Sequence, residues 1–279
     1  MTALAPTATI ARRPSPFAIA SPLATLAQRR FRLTTRTPRE LFVPLITPIL
    51  FALVIAPALK TALHTSSAYE AFVATGTIGL LIPLNTMFSG LSVIVDRESG
   101  AQRELLAAPI PRPLLVLGNL VVALAVTAFQ VAALIGFAVA RGIDFDVSAT
   151  GALWFAAAAT LFTVGMYGVA ETLAGRVPKT EEFIARVPAI AIVPWFLAGS
   201  LFPISALPGF LEWFARLLPL THGLALVRYG LLGDSTGLHN IWQMGDPTAM
   251  AALSLGVVAL FAVALTAVAI RVFTRSALR

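Results

Sequence analysis

Long apolar stretches alternate with short polar ones along this chain. The apolar stretches together make up about half of the sequence. About 20 consecutive apolar residues are enough for a helix to cross the hydrocarbon core of a bilayer, where the backbone must satisfy its own hydrogen bonds. The pattern therefore predicts an all-α polytopic membrane protein with six transmembrane helices, at residues 41–59, 71–95, 113–140, 150–174, 187–207 and 248–270.

The composition agrees with a membrane protein and excludes several other classes. Only 12% of the residues are charged and the mean hydropathy is +0.86, whereas a soluble protein of this length needs more charge to cover its surface. The chain has no cysteine. This excludes disulfides, thiolate metal sites and cysteine nucleophiles.

The basic residues divide unevenly between the two sides that six spans define. With a cytoplasmic N-terminus, 16 of the 20 Lys and Arg residues fall in inner segments and four in outer ones. Such a bias follows the positive-inside rule, so both termini are predicted to be cytoplasmic. The net charge of +7 is explained by this topology and by anionic lipid, and it requires no nucleic-acid partner.

The segment before the first span divides into two parts. Residues 1–20, rich in Pro, Ala and Thr, are predicted to be a disordered cytoplasmic tail. Residues 21–40 are predicted to form an amphipathic interfacial helix on the inner leaflet, with Leu26 and Phe31 on its apolar side. Arg30 falls on that same side and interrupts the stripe. A plain basic linker is the alternative interpretation.

The predicted spans contain almost no ionisable side chains. Glu171 is the one exception, and a glutamate so close to the inner end of its span is expected to reach the interface rather than relay protons. The nearest approach to a phosphate-binding loop, Gly175 to Thr180, has proline instead of glycine before Lys179, so it is not a Walker A motif. We therefore expect a chain that is not an enzyme and has no catalytic residue, metal or cofactor of its own.

A polar segment, 96–112, separates the second and third spans. It contains Asp96, Arg97, Glu98, Gly100, Arg103, Glu104, Leu105, Leu106, Pro109 and Arg112. A short helix from about Glu98 to Leu106 would present two adjacent leucines as an apolar anchor with charge beside it. The charge count assigns this loop to the cytoplasm, which makes it a candidate contact surface for a soluble partner. A solvated structural loop is the alternative.

The outer segment 203–231 is apolar but repeatedly interrupted by proline. The candidate residues of this segment are Pro203, Pro208, Trp213, Pro219 and Arg228, together with Phe202, which immediately precedes it. The segment is too broken to be a span and too apolar to be a solvated loop. A re-entrant or interfacial helical hairpin is predicted, with Trp213 at the depth of the lipid headgroups. A seventh span is the alternative.

Residue by residue, the chain resembles the permeases of ABC type-2 exporters, and in particular their daunorubicin and doxorubicin resistance branch. The resemblance rests on Asp96, Arg97, Glu98, Ser99, Gly100, Glu104, Leu105, Leu106, Pro109, Ile110, Arg112, Leu115 and Gly118, and on Phe202, Pro203, Leu207, Pro208, Pro219, Leu220, Thr221 and Arg228. It follows the segment order over nearly the whole chain. The sequence departs from the family at Asp96, where Glu is commoner, and at Ala101, where Thr is usual.

The resemblance implies a multi-pass permease of the plasma membrane, in bacteria the inner membrane, that exports a hydrophobic drug or a lipid-like molecule. Its implied partners are two copies of a separate nucleotide-binding ATPase, which would contact loop 96–112 and bind the ATP and Mg²⁺, and a second permease chain, the same or related. A polysaccharide or glycoconjugate exporter of the same superfamily is one alternative. An ion-coupled secondary transporter is the alternative from a different class.

Overall fold

The computed structural model describes residues 16–64 and 68–276, and these fold almost entirely into helices. In chain order the helices are α1 (Pro16–Arg36), α2 (Pro38–Leu50), α3 (Ala56–Leu63), α4 (Ala68–Glu98), α5 (Ala101–Ala107), α6 (Pro113–Ala140), α7 (Ala149–Ala174), α8 (Thr180–Val187), α9 (Val193–Leu197), α10 (Gly209–Leu217), α11 (Pro219–Leu232), α12 (Thr236–Trp242) and α13 (Pro247–Ser276). A π-helical turn joins α2 to α3 and another joins α8 to α9. These two ranges contain no strand, which confirms the all-α prediction for them.

Five helical segments in the described part of the chain are long and apolar enough to cross a membrane. They are Leu41–Ala62, Ala68–Glu98, Pro113–Ala140, Ala149–Ala174 and Pro247–Arg275. They coincide with five of the six predicted spans, although their ends extend a few residues into the flanking segments. The predicted span 187–207 is not among them.

The helix at the predicted span 187–207 ends ten residues early. It runs from α8 through the π turn Pro188–Ile192 to Leu197, the end of α9. Gly199 then adopts a left-handed backbone with φ of 81°, a conformation in which glycine commonly terminates a helix. The remainder of the predicted span is therefore a set of turns, including one 3-10 turn at Ile204–Ala206.

The N-terminal boundaries also differ from the prediction. α1 begins at Pro16, so residues 16–20 are helical rather than part of the tail, and the rest of the predicted tail lies outside the described residues. The helix α1, which the sequence predicts to be interfacial, ends at Arg36, and the helix α2 at the predicted first span begins at Pro38. Proline suits the first turn of a helix because it has no N–H to leave unpaired, and it keeps Thr37 out of the helical conformation (φ −116°, ψ 73°).

The long helix α4 forms the centre of the bundle and is the most buried of the five candidate spans. It packs against α2, α6, α7 and α11. Glycine allows two of its close approaches, because a Cβ on Gly76 would overlap the Ser200 carbonyl and one on Gly79 would lie 2.5 Å from the Leu224 side chain. Close packing at small residues is typical of membrane helix pairs.

The segments that the charge count assigns to one side meet at one end of the bundle. In loop 96–112, Asp96 contacts α1, Arg97 contacts the turn after α7, and Arg112 contacts the end of α13. At the opposite end, the Tyr69 hydroxyl donates to the Leu201 carbonyl at 2.8 Å, and Lys60 pairs with Glu70 at 3.1 Å. The predicted inner segments therefore lie together, and so do the predicted outer ones.

Candidate coupling surface

The polar loop between α4 and α6 contains a short helix, but not the helix that the sequence predicts. Glu98 is the last residue of α4, and Gly100 follows with a left-handed backbone (φ 82°) before α5 begins at Ala101. A glycine just beyond a helix end commonly takes this conformation. The predicted helix from Glu98 to Leu106 is therefore wrong at its start, because Gly100 separates Glu98 from α5 and turns the chain.

Asp96 connects this loop to the N-terminal helix. Its Oδ2 lies 3.6 Å from Arg29 Nη1 and 3.8 Å from Arg30 Nη1. Arg30 is only 8% exposed, while Phe31 beside it is exposed. The arginine that interrupts the apolar stripe of α1 thus faces the protein, where it contributes to neutralising a carboxylate at the end of α4.

Arg97 joins the end of α4 to the end of α7. Its Nη1 donates to the Ala174 carbonyl at 3.0 Å, and its Nη2 donates to the carbonyls of Val177 at 2.6 Å and Pro178 at 3.1 Å. The last carbonyls of a helix have no partner within the helix and carry partial negative charge, so a guanidinium is favourable there. Arg97 is therefore a structural tie rather than a free charge.

Two further contacts fix the ends of the loop. The Thr180 hydroxyl, at the start of α8, donates to the Glu98 carboxylate at 3.3 Å. At the other end, Arg112 Nη1 donates to the Thr274 carbonyl near the end of α13 at 3.4 Å. The loop is thereby connected to α1, α7, α8 and α13, and it is the place where these four elements meet.

The two leucines of α5 pack against the chain itself. Leu105 and Leu106 are partly buried against a small apolar cluster that includes Leu115, Tyr167 and Phe273. They are therefore not a freely projecting anchor, contrary to what their adjacency predicts. Other residues of this loop are exposed, among them Arg103, Glu104 and Pro109. At the neighbouring start of α8, Glu181 and Glu182 are exposed as well. We call these five residues the coupling surface.

A buried polar pair lies behind this end of the bundle, and sequence reasoning missed it. Glu171 is 2% exposed, and its Oε2 accepts a hydrogen bond from the Tyr167 hydroxyl at 2.8 Å. The expectation that Glu171 reaches the interface is wrong, because depth along a helix does not determine which neighbour the side chain faces. The available signal was the spacing of Tyr167 and Glu171, which puts both on one face of α7.

The predicted outer segment is helical on both sides of a break at Leu218. α10 carries Phe210, Trp213, Phe214 and Leu217 as an exposed apolar stripe, with Trp213 65% exposed. α11 is instead mostly buried and contains Arg228, which is 4% exposed. Pro208 and Pro219 precede α10 and begin α11 respectively, and Phe202 and Pro203 lie in the turns before α10.

A family model described as the ABC-2 type transporter matches residues 22–232. The matched range includes loop 96–112, the start of α8 and the whole of segment 203–231. The chain belongs to the ABC-2 type transporter family.

Three relatives show the range of this similarity. The transport permease ycf38 of Porphyra purpurea is 26% identical over 220 residues, which cover 76% of this chain and 75% of the relative. The inner membrane transport permease YadH of Escherichia coli K12 is 25% identical over 183 residues, which cover 60% of this chain and 64% of the relative. Nodulation protein J of Rhizobium leguminosarum bv. trifolii is 29% identical over 172 residues, covering 60% and 63%.

ABC-2 permeases are multi-pass membrane subunits that generally work with an ATPase subunit. An exposed, charged patch at one end of an ABC-2 chain is therefore a candidate for that contact. The coupling surface fits this description, because its charges project from short helices that are themselves tied to several long ones.

Proposed function

We propose that this chain is the membrane-spanning permease of an ABC exporter and that a separate ATPase drives it through the coupling surface. The observation that carries the proposal is the position of α5. Arg103 and Glu104 are exposed on it, while the residues on either side of it bind α1, α7 and α13. A partner that moves α5 would therefore act on three other helices at once.

The proposed mechanism is a rigid-body movement of packed helices. Bundles change state by small rotations and shifts because packed interfaces have a few discrete arrangements rather than a continuum. ATP and Mg²⁺ bound by two ATPase copies would close the ATPase pair, tilt two permease chains and expose a central path to each side in turn. Two permease chains are proposed because a single bundle of this size rarely encloses both a path and its gates.

In the proposed topology both termini are cytoplasmic and the coupling surface faces the cytoplasm. The uneven distribution of Lys and Arg supports this orientation. The helix that ends at Leu197 would supply the remaining span, with its first turn, which carries Glu181 and Glu182, on the cytoplasmic side. In this topology α10 and α11 would form the outer re-entrant hairpin. The apolar stripe of α10 supports an interfacial position. The proposed location is the plasma membrane, in bacteria the inner membrane.

The proposed cargo is a hydrophobic drug or a lipid-like molecule, exported in the manner of the drug-resistance branch. The near absence of ionisable side chains in the spans supports an apolar path. A polysaccharide exporter is the close alternative, and stimulation of the reconstituted ATPase by one cargo class and not the other separates the two.

One observation favours a different class, an ion-coupled transporter. Glu171 is buried within a span, where carboxylates often belong to ion or proton pathways. Collapse of the membrane potential with ATP retained distinguishes the classes. Transport that stops under that condition supports ion coupling and contradicts the ATPase-driven proposal.

Exchanging the two charges of α5 tests the coupling proposal directly. The double variant R103E/E104R keeps the total charge and reverses its order, so we expect co-purification with the ATPase and transport to fall at least about tenfold, as for an interface charge pair that becomes repulsive. R141E/D144R is the matched control for co-purification, because both residues are exposed at the opposite end. Equal co-purification of both double variants with the ATPase contradicts the proposal. Replacing Leu105 or Leu106 by Asp is a less specific test, because it also disturbs the chain's own packing.

A further inference from the structure

A cavity lies at the end of the bundle opposite the coupling surface. It has a volume of about 210 Å³ and is lined in part by Phe72, Thr221, Ala225, Arg228, Asp234 and Asn240. One water molecule occupies about 30 Å³ in the liquid, so the cavity has room for a group several times that size. The lining combines one guanidinium, two hydroxyls and one amide, all able to donate hydrogen bonds, with the carboxylate of Asp234.

Arg228 is the dominant charge of this cavity. Its Nη1 donates to the Gly199 carbonyl at 2.8 Å, and its Nη2 donates to the carbonyls of Ser200 at 3.0 Å and Phe72 at 3.3 Å. Its Cζ lies 3.5 Å from the centre of the Phe72 ring. The guanidinium is therefore held in a fixed orientation before any ligand arrives.

The positive charge of Arg228 has no carboxylate at ion-pair distance in residues 16–64 and 68–276. Its Nε and the Thr221 Oγ1 are both buried and lack a hydrogen-bond partner within the same ranges. Thr221 is 3% exposed. The Asp234 carboxylate at the edge of the cavity acts on the Arg228 charge from beyond ion-pair distance, so it offsets only part of the cost of burying that charge, and the two unpaired polar atoms add to the cost. An anion in the cavity would offset the remainder.

A larger pocket continues outward from this cavity. It has a volume of about 560 Å³ and shares Phe72, Pro203 and Asp234 with the smaller one. Its other lining residues include the apolar Ala68, Ala71 and Leu232 and the aromatic Tyr69, together with the exposed Asp144 and Asp146. The inner cavity thus offers a cation and donors with the Asp234 carboxylate beside them, and the outer pocket offers a largely apolar wall that also carries Asp144 and Asp146.

We propose that the two pockets bind one amphipathic phosphate, with its phosphate group at Arg228 and Thr221 and its apolar part against the outer wall. Guanidinium and hydroxyl groups are preferred ligands for phosphate oxygens. Phosphate is chosen over carboxylate because phospholipid headgroups are the anions that a membrane protein meets at this depth. The proposal concerns binding by the chain alone, so it stands or fails independently of the ATPase.

Native mass spectrometry and thermal shift of the purified chain in neutral detergent test the site with three probes. Dioctanoyl phosphatidylglycerol carries both the phosphate and the tails, glycerol 3-phosphate carries only the phosphate, and dioctanoylglycerol carries only the tails. We expect the phospholipid to bind at least about tenfold more tightly than dioctanoylglycerol, which lacks the charge-assisted hydrogen bonds. Glycerol 3-phosphate binding as tightly as the phospholipid supports the anion site and identifies a free phosphate ester as its ligand.

Three variants test the assignment while leaving Arg228 and its carbonyl contacts in place. A225L fills the cavity and should abolish binding, and T221V should weaken it about tenfold because it removes a donor to a charged group. D234N should strengthen binding, on the order of threefold, because it removes a repelling carboxylate at the edge of the cavity. T77V is the matched control, because the Thr77 hydroxyl is buried but donates to the carbonyl of Ala74 in its own helix.

Three outcomes would overturn the proposal. If dioctanoylglycerol binds as tightly as the phospholipid, the phosphate group makes no contribution and Arg228 is purely a structural tie. If no probe binds, the two pockets are not a binding site for an amphipathic phosphate. If D234N weakens binding of the phospholipid, its phosphate group does not lie beside Arg228, because removing a nearby carboxylate should favour an anion bound there. Circular dichroism and the melting temperature of each variant without ligand show whether it is folded, so a loss of binding is not confused with a loss of structure.

Discussion

At the scale of single residues, Asp96 determines how α1 is attached. Its carboxylate forms ion pairs with both Arg29 and Arg30 of that helix. A partly exposed ion pair contributes little by itself, but Arg30 is nearly buried and would lose its ion-pair partner. We therefore expect D96N to lower the free energy of unfolding by about 1 kcal/mol and to raise hydrogen exchange within α1.

Asp144 gives the control for this prediction, because it is exposed at the opposite end of the bundle. D144N should leave hydrogen exchange in α1 and the stability of the protein as they are. Unchanged exchange in α1 of D96N would show that the apolar contacts of Leu26, rather than the ion pairs, hold this helix in place.

The Tyr167 and Glu171 pair gives a second prediction at this scale. Y167F removes the hydroxyl that donates to Glu171 and leaves a buried carboxyl group with one partner fewer, so stability should fall by about 1–3 kcal/mol. Removing the acid as well, in Y167F/E171L, should recover part of this loss, because both polar partners are then replaced by apolar groups. Thermal unfolding in detergent measures both values. If Y167F/E171L loses more stability than the losses of Y167F and E171L added together, the two side chains do not act as a pair.

At the scale of elements, the α7 and α13 pair depends on the small size of glycine. A Cβ on Gly168 would lie 2.7 Å from the carbonyl carbon of Leu265 in α13, closer than backbone atoms tolerate. G168A should therefore force the helices apart and cost about 1–3 kcal/mol. In contrast, a Cβ on Gly136 in α6 meets nothing within 4 Å, so G136A should stabilise the protein by up to about 1 kcal/mol. Opposite shifts in melting temperature are the expected result, and equal shifts would contradict the close packing.

At the scale of the whole molecule, the sequence predicts the long elements well and their mutual orientation poorly. Each long apolar run is a separate signal, so five spans follow from hydropathy alone. The turn after Leu197 does not, because its carbonyls are held by distant side chains such as Arg228 and Tyr69. The inward positions of Leu105 and Glu171 likewise depend on neighbours that are far away in sequence. Periodicity determines a helix and its depth, whereas the face it buries is decided by tertiary packing.

Loop 96–112 contacts several helices, so docking of the ATPase and transmission of its movement can be tested separately. If the ATPase docks on the exposed charges of α5 and α8 while Arg97 passes the movement to α7, then docking and transmission depend on different residues. R97A removes all three hydrogen bonds to the carbonyls at and just beyond the end of α7 but leaves Arg103 and Glu104 exposed. We expect R97A to co-purify with the ATPase at the wild-type level and to hydrolyse ATP, while transport falls by at least about tenfold.

R103E/E104R should show the reverse pattern, with docking lost and the loop still attached to α7. Thermal unfolding of the permease alone separates a transmission defect from a folding defect, because R97A has to remain folded at the assay temperature for the comparison to hold. If R97A instead loses the ATPase to the same extent as R103E/E104R, the loop acts as one docking unit. In that case the contact between α4 and α7 serves to shape the surface rather than to transmit its movement.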